Sequence, residues 1–142
     1  MVLVYRVDVR ALSAVHRDSI VALVNDCFDE PISTLDYSYG VVYQDHSCVL
    51  GATLVEVVPA DGKDTPEYHH IRRMCVRKDR RDGGIGTEML TVMKEHLGAA
   101  HAYTSLCHAN SRLADLKRFM RTNDFASCAG TADRGAGMSF AP

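Results

Sequence analysis

The chain has 142 residues, of which 46% are hydrophobic and 24% are charged, and its formal net charge is −2. This length suits one domain with a buried core, and the composition is ordinary for a globular protein. No apolar run approaches the roughly 18 residues of a membrane span, and the N-terminus lacks the apolar core of a signal peptide. We therefore expect a single cytoplasmic domain, residues 1–142, that makes no contact with a membrane.

The cysteine and histidine patterns favour free thiols and no metal. The five cysteines form no C-x-x-C pair, and several lie in apolar segments, which indicates buried thiols in a reducing compartment. The seven histidines lack the spacing of zinc ligands. The cysteines are Cys27, Cys48, Cys75, Cys107 and Cys128.

Strand-like and helix-like patterns alternate along the chain. The predicted strands are residues 2–7, 39–43, 47–58, 67–76 and 102–107, with a hairpin turn at 44–46. The predicted helices are residues 16–28, 84–97 and 111–122. Asp18 or Ser19 is the predicted cap of the first helix, and the tail from Ala126 has room for two short strands. This order predicts an α/β fold.

A glycine-rich loop joins the fourth strand to the second helix. Its sequence is Arg81-Asp82-Gly83-Gly84-Ile85-Gly86, followed by Thr87. A strand, a glycine-rich turn and a helix in this order direct backbone N–H groups and a helix N-terminus at one point, which is a typical phosphate site. The loop lacks the Lys-Ser or Lys-Thr pair of a Walker motif and the glycine spacing of a dinucleotide fingerprint.

Basic side chains concentrate just before and within this loop. Residues 72–81 hold six basic and one acidic side chain, a local charge of +5, so the remaining residues sum to −7. A small basic island in an otherwise acidic chain suits a compact polyphosphate better than a nucleic acid, which favours an extended basic face. A nucleic-acid-binding domain is therefore the weaker interpretation, since it leaves the glycine loop without a role.

The loop and its flanks resemble the GNAT superfamily of N-acetyltransferases. Arg81, Gly84 and Gly86 occupy the defining positions of the family loop R/Q-x-x-G-x-G/A, and residues 74–76 stand where the family has L-x-V at the end of a strand. The resemblance covers most of the chain. It implies a mixed, mostly antiparallel sheet of six to seven strands, flanked by about four helices, in which strands four and five splay apart. Family members are often dimers, so a homodimer is compatible with it.

The resemblance also implies acetyl-CoA as co-substrate and assigns residues to it. Backbone groups of Arg81, Asp82, Gly83, Gly84, Ile85, Gly86 and Thr87 would hold the pyrophosphate. Those of Met74, Cys75 and Val76 would pair with pantetheine, as would the Asn110 side chain. Candidates for the 3′-phosphate are Arg77, Lys78 and Arg80.

A general base is expected on the fourth strand. Acetyl transfer to an amine needs a neutral nitrogen, so a base must remove a proton directly or through water. In many family members this base lies eleven positions before the loop motif, which is His70 here. Histidine, with an unperturbed pKa of about 6.5, suits that role. The alternative is a structural histidine, and Glu67 acting through water is the back-up base.

Two further expectations concern the leaving group and the acceptor. Met120 occupies the position of the tyrosine that is proposed to protonate the leaving thiolate in the family. Water, Tyr103 or Ser105 could replace it, the step could need no acid, or the chain could bind acetyl-CoA as a regulatory module without turnover. Carboxylates and tyrosines after the first helix favour a cationic amine acceptor, although ordinary loop polarity is an equal explanation. They are Asp26, Asp29, Glu30, Asp36, Tyr37 and Tyr39.

Overall fold

A computed structural model of the chain describes residues 1–28, 31–62, 66–105, 113–130 and 135–142, with the backbone alone at position 113. The strands are β1 (Val2–Asp8), β2 (Tyr39–Asp45), β3 (Cys48–Val58), β4 (Tyr68–Val76), β5 (His101–Ser105), β6 (Ala126–Cys128) and β7 (Gly137–Phe140). The α-helices are α1 (Ala14–Cys27), α2 (Ile85–Glu95) and α3 (Leu113–Thr122). Short 3₁₀ helices cover Val9–Ala11 and Lys78–Arg80. No helix in the described ranges is long and apolar enough to cross a membrane.

The seven strands form one mixed sheet in the order β1-β2-β3-β4-β5-β7-β6. β4 and β5 run parallel, paired from Tyr68–His101 to Ile71–Thr104, and β4 continues to Val76. The pairs β1–β2, β2–β3, β5–β7 and β6–β7 are antiparallel. The predicted fold class is confirmed. The expected number of about four helices is corrected to three α-helices in the described ranges.

The described residues 31–38, between α1 and β2, form no helix. Pro31 begins the described part of this segment, and the Asn25 side chain holds the backbone of Ile32 at both ends. Asn25 Nδ2 donates to the Ile32 carbonyl at 2.9 Å, and the Ile32 N–H donates to Asn25 Oδ1 at 2.7 Å. Because side-chain bonds satisfy this backbone, the segment is an irregular loop.

The start of α1 differs from the sequence prediction. The helix begins at Ala14, and Ser13 is its cap, because the Ser13 hydroxyl accepts from the His16 N–H at 3.3 Å. The prediction of Asp18 or Ser19 as the cap was wrong. Ser19 lies inside the helix, where its hydroxyl donates to the Val15 carbonyl one turn earlier. The β2–β3 turn also shifts, to His46 and Ser47, and His46 adopts a left-handed φ of 55°.

The chain forms two compact units, of which the first comprises Met1–Glu56 and Arg72–His96. Alternation along β3 divides its side chains between two helices. Ala52 and Leu54 belong to a core cluster with Ile20, Leu23 and Val24 of α1. Gly51 and Thr53 instead meet α2, where the Thr53 hydroxyl lies 3.7 Å from Met89 Sδ.

Gly51 allows α2 to approach β3 closely. A Cβ at position 51 would lie 2.9 Å from Ile85 Cγ2 and 3.1 Å from Met89 Cε. A larger residue would therefore displace the first turn of α2. The missing side chain of Gly51 thus helps to position the helix end that follows the glycine-rich loop.

The second unit comprises Val57–Ile71 and Leu97–Pro142. Its core includes Tyr103 of β5, Met120 of α3 and Met138 of β7, each at most 1% exposed. Gly137 lies against β5, where a Cβ would stand only 2.2 Å from the Thr104 carbonyl oxygen. β5 and β7 can therefore pair at this position only around glycine. The prediction of a single domain over residues 1–142 stays a prediction.

Candidate functional site

The predicted phosphate loop follows the 3₁₀ helix Lys78–Arg80 and ends where α2 begins at Ile85. Asp82 and Gly84 both adopt left-handed backbone conformations, with φ of 67° and 85°. Gly84 accepts this geometry without strain, and aspartate is among the few other residues that tolerate it. The resulting turns leave Asp82, Gly83 and Gly84 exposed at the start of the helix.

The N-terminus of α2 fits the phosphates of CoA. Gly84 is the N-cap, and no side chain from the described residues caps the helix there. The N–H groups of Ile85 and Gly86 belong to the first turn, which has no intrahelical acceptor in any α-helix. No other part of the described chain comes within 4 Å of the place where a Gly84 Cβ would lie. An anion can therefore approach the helix dipole at this point.

The stretch of β4 predicted to pair with pantetheine is only partly open. Met74 and Val76 are half-buried, whereas Cys75 is 4% exposed and packs in the core cluster beside α1. Two donors already reach the Val76 carbonyl, namely Arg81 Nε at 3.1 Å and Cys27 Sγ at 3.6 Å. These contacts occupy both lone pairs, so a role for Val76 toward pantetheine would rest on its N–H group.

The basic residues before the loop have different partners. Arg77 forms a bidentate pair with Asp79, with distances of 2.6 and 2.9 Å. Arg72 binds Glu56 at 2.7 Å, and the guanidinium of Arg73 lies 4.9 Å from the centre of the Phe28 ring. Lys78 and Arg80 are exposed on the 3₁₀ helix. Of the three residues predicted for the 3′-phosphate, Arg77 is therefore the one whose charge is locally compensated.

The predicted base is one of three aromatic rings that pack together, with Tyr68 and Tyr103. His70 is 7% exposed, and its ring centroid lies 4.8 Å from that of Tyr103, with the rings at 75°. Tyr68 lies 6.4 Å away on the same strand. Neighbouring His69 is also buried, and Glu67 is exposed. The aromatic neighbours hold the imidazole in one orientation and restrict water around it.

The residues considered for thiolate protonation lie in three settings. Met120 is fully buried in α3, so this position has a packing role and supplies no proton. The Tyr103 hydroxyl donates to the Gly135 carbonyl at 2.6 Å. Ser105 is exposed at the end of β5. Asn110, predicted to contact pantetheine, lies outside the described residues.

A cavity of about 620 Å³ opens in the first unit, between the loop after α1 and the second half of β4. Asp36 and Glu56 contribute carboxylates to its wall, and Arg72 and Arg73 contribute guanidinium groups. The Asn25–Ile32 hydrogen bonds brace the loop side of the cavity. Its full lining is Pro31, Ile32, Ser33, Thr34, Asp36, Tyr37, Glu56, Arg72 and Arg73.

The cavity includes only part of the predicted acceptor set. Asp36 and Tyr37 line it, whereas Tyr39 is buried in β2, 4.3 Å below the guanidinium of Arg6. Burial raises the pKa of Tyr39 to about 12. Asp26 is exposed at the end of α1, and Asp29 and Glu30 lie outside the described residues.

Sequence reasoning missed three of the four charged residues that line the cavity, namely Glu56, Arg72 and Arg73. Arg72 and Arg73 had been counted only as part of a basic island. Their contacts with Glu56 and Phe28 join positions 16 and 45 residues apart. No local pattern indicates such pairs. Across the described ranges, no group of three His, Cys, Asp or Glu side chains is arranged to hold a metal ion.

Comparisons with known proteins agree with this architecture. The family model described as "Acetyltransferase (GNAT) family" matches residues 7–124. A search of curated proteins finds no significant match. Among solved structures, the ribosomal-protein-S18-alanine N-acetyltransferase from Escherichia coli has a TM-score of 0.67 and 13% identity, covering 99% of this chain and 94% of that one.

Two other solved structures show the same likeness. The putative N-acetyltransferase YhhK from E. coli, bound to coenzyme A, has a TM-score of 0.65 and 14% identity, with coverage of 100% and 99%. The glucosamine N-acetyltransferase region of a fungal multi-domain β-N-acetylglucosaminidase has a TM-score of 0.68 and 13% identity, and it covers 90% of this chain. This chain spans only 17% of that fungal protein. By the family match over residues 7–124, together with the fold, the chain belongs to the GNAT acetyltransferase family.

Proposed function

We propose that this protein transfers the acetyl group of acetyl-CoA to a primary amine by direct attack of the amine. One observation carries the proposal above the others: an uncapped helix N-terminus follows a glycine-rich loop with Gly84 in the left-handed conformation. This is the arrangement that binds a pyrophosphate. The loop belongs to a chain of the GNAT family, which supports acetyl-CoA as its ligand.

His70 is the proposed base of this reaction. The imidazole would take one proton from the acceptor ammonium, directly or through a water, so that the nitrogen lone pair can form the new C–N bond. The thioester C–S bond then breaks, and CoA leaves as a thiolate. With 7% exposure, His70 would exchange protons mainly with groups that enter the site.

The charges of the 620 Å³ cavity favour an acceptor that carries both signs of charge. Glu56 already neutralises Arg72, so the remaining charged side chains of the lining are Asp36 and Arg73. A polyamine would meet the remaining positive charge of Arg73 on the β4 wall, and like charges repel it there. An amino acid or a peptide N-terminus instead brings an amine together with a carboxylate or carbonyl oxygens.

The position of the cavity in the chain agrees with an acceptor role. Arg72 and Arg73 directly precede the predicted pantetheine stretch at Met74 on β4, within the first unit. One fold relative, the E. coli ribosomal-protein-S18-alanine N-acetyltransferase, has a protein alanine in its name. We therefore propose an α-amine of an amino acid or peptide as the acceptor class.

Release of the CoA thiol from acetyl-CoA tests the activity and the acceptor together. The acceptors are free amino acids, short peptides with a free N-terminus, spermidine and an aminoglycoside. We expect kcat/KM for the best peptide or amino acid to exceed that for spermidine at least tenfold. Arg73→Gln should lower this ratio of kcat/KM values. Arg77→Gln removes the same charge outside the cavity and should leave the ratio unchanged.

The outcomes separate the acceptor class from the activity. A preference for spermidine would overturn the acceptor class and leave the acetyltransferase intact. Binding of acetyl-CoA without thiol release for any amine would favour the second candidate, a regulatory acetyl-CoA-binding module. The observation that motivates this candidate is Met120, which is fully buried where the family commonly has an acid.

A further inference from the structure

Two cysteines and one arginine meet beside the glycine-rich loop, and the proposed acetyl transfer uses neither thiol. Cys27 is the last residue of α1, Cys75 lies in β4, and Arg81 is the first residue of the loop. Cys27 Sγ lies 3.6 Å from the carbonyl oxygen of Val76, the residue that follows Cys75, and Cys27 packs against the core cluster that contains Cys75. Both cysteines are free. Cys75 Sγ also lies 3.7 Å from the Ala52 carbonyl oxygen.

The surroundings give the two sulfurs opposite acidities. A hydrogen bond from Cys75 lowers the pKa of Cys27 to about 6, with further hydrogen-bonding and charge contributions from Arg81. Burial and the charge of Asp26 act against this, as does the position of Cys27 at a helix C-terminus. The hydrogen bond with Cys27, together with burial, raises the pKa of Cys75.

Ionisation of Cys27 leaves its neighbours satisfied. As a thiol, Cys27 can donate to the Val76 carbonyl at 3.6 Å. As a thiolate it accepts from Cys75 and Arg81, and the Val76 carbonyl keeps a donor, because Arg81 Nε lies 3.1 Å away. Loss of the thiol proton therefore leaves no buried acceptor without a hydrogen bond.

The two thiols also differ in access. Cys27 is partly exposed, whereas Cys75 is 4% exposed and belongs to the core cluster under α1. A reagent from solution therefore meets Cys27 first. Cys75 belongs to the core cluster against which Cys27 packs, where it is shielded from the reagent. This is the arrangement of an attacking thiol and a resolving thiol.

We propose that Cys27 and Cys75 form a thiol–disulfide exchange site for the disulfides of low-molecular-weight thiols. The Cys27 thiolate attacks one sulfur of the small disulfide, forms a mixed disulfide and releases one small thiolate. Cys75 then gives up its proton and attacks the Cys27 sulfur, so that the second small thiol leaves. Both cysteines are oxidised, and one small disulfide is reduced to two thiols.

A variant that keeps only this pair tests the proposal with glutathione disulfide. Cys48, Cys107 and Cys128 are changed to serine, and intact mass and free thiols are measured under native conditions. We expect the variant to lose both free thiols and its mass to fall by two hydrogens, with no glutathione attached. Cys75→Ser in this background should trap one glutathionyl group on Cys27. Cys27→Ser should leave the remaining, shielded Cys75 unreacted.

The pH dependence provides a readout that does not depend on the Cys75 variant. The rate of Cys27 alkylation should reach half its maximum at about pH 6, against about 8.5 in the denatured chain. Arg81→Met should shift the native midpoint upward. A stable adduct on Cys27 while Cys75 remains a free thiol would overturn the resolving step. A native midpoint equal to that of the denatured chain would overturn the site.

Discussion

At the residue scale, Tyr103 orients the His70 ring, and the ring itself is proposed to take the proton. Tyr103 lies edge-on against the imidazole at 4.8 Å, so the ring has little freedom to turn. The Tyr103 hydroxyl in turn is fixed by the Gly135 carbonyl at 2.6 Å. If His70 is the base, as proposed, its fixed ring loses little entropy when the acceptor arrives, which is an advantage for proton transfer.

Replacement of this base should slow the chemical step. His70→Ala is expected to lower kcat by about 10²–10⁴-fold, because the amine would have to lose its proton without help. The affinity for acetyl-CoA should change little. Steady-state kinetics and calorimetric titration measure the two quantities.

His69→Ala is the matched control for this substitution, because His69 is the adjacent histidine and is 6% exposed against 7% for His70. We expect it to affect stability without the same loss of kcat. A loss below threefold in His70→Ala, or equal losses in the two variants, would show that His70 is a structural histidine.

The sequence allowed some properties of single residues to be predicted and not others. The special conformation of Gly84 could be predicted, because a strand–turn–helix connection requires a residue free to adopt a positive φ. The contact between Cys27 and Cys75 could not, because it joins residues 48 positions apart through the packing of α1 on the sheet. The Arg77–Asp79 pair is local, yet its geometry depends on the 3₁₀ turn that contains Asp79.

At the element scale, α3 ends in a Schellman turn in which aspartate takes the place of the usual glycine. Asp124 stands where the family commonly has glycine, and its φ is 70°. The Phe125 N–H donates to the Met120 carbonyl and the Asp124 N–H to that of Arg121, at 2.9 and 3.0 Å. These are the two hydrogen bonds of a Schellman motif. The turn is therefore retained without the glycine.

Asp124→Gly should stabilise the protein by about 1 kcal/mol, because glycine removes the steric cost of the left-handed conformation. The midpoint of urea denaturation measures the gain. Asp115→Gly, in the first turn of the same helix, is the control and should destabilise by about 0.5–1 kcal/mol, because it adds glycine to the helix and removes a negative charge from the helix N-terminus. A destabilised Asp124→Gly variant would contradict this interpretation of the turn.

The exposed side chains of the 3₁₀ helix before the loop are expected to bind the 3′-phosphate of CoA. Lys78 and Arg80 are exposed there, while Arg77 is held by Asp79. Combined alanine substitution of Lys78 and Arg80 should weaken CoA binding about fivefold to tenfold at low salt, as expected for two exposed charge contacts. Binding of 3′-dephospho-CoA should not change. Titrations of both ligands measure the effect.

Arg77→Ala is the control for this element and should leave the preference for CoA over 3′-dephospho-CoA intact. An equal loss of affinity for both ligands in the double variant would mean that Lys78 and Arg80 act on the loop as a whole. It would contradict recognition of the 3′-phosphate by these two side chains.

At the scale of the whole molecule, the order of elements was predictable and several boundaries were not. Each predicted strand has a counterpart in the sheet, because apolar alternation and turn residues are local signals. The first residue of α1 depends on a hydroxyl–amide hydrogen bond at Ser13, whereas the sequence pattern had favoured Asp18 or Ser19 as the cap. The cavity proposed to bind the acceptor depends on contacts between distant segments, so only Asp36 and Tyr37 were anticipated among its walls.

The distribution of charge also acts at this scale. The chain carries −2 overall, yet the residues around the loop are basic. Two of those basic side chains, Arg72 and Arg77, are compensated by Glu56 and Asp79. The attraction for a polyphosphate is therefore concentrated on the loop, the α2 N-terminus and the exposed 3₁₀ helix, and it should weaken as salt is added.

Binding of acetyl-CoA at the glycine-rich loop is tested by a thermal melt with and without acetyl-CoA at about 100 times its Kd. Binding should then add about 2.7 kcal/mol to the free energy of unfolding, which raises the Tm by several degrees. Gly84→Glu should abolish this rise, because it places bulk and negative charge in the phosphate cradle. Gly62→Glu is the matched control, since Gly62 has a similar φ of 78° and open surroundings but lies outside the loop. We expect a rise in Tm for the parent and for Gly62→Glu but not for Gly84→Glu. An equal rise in all three proteins, or no rise in the parent, would contradict binding at this loop.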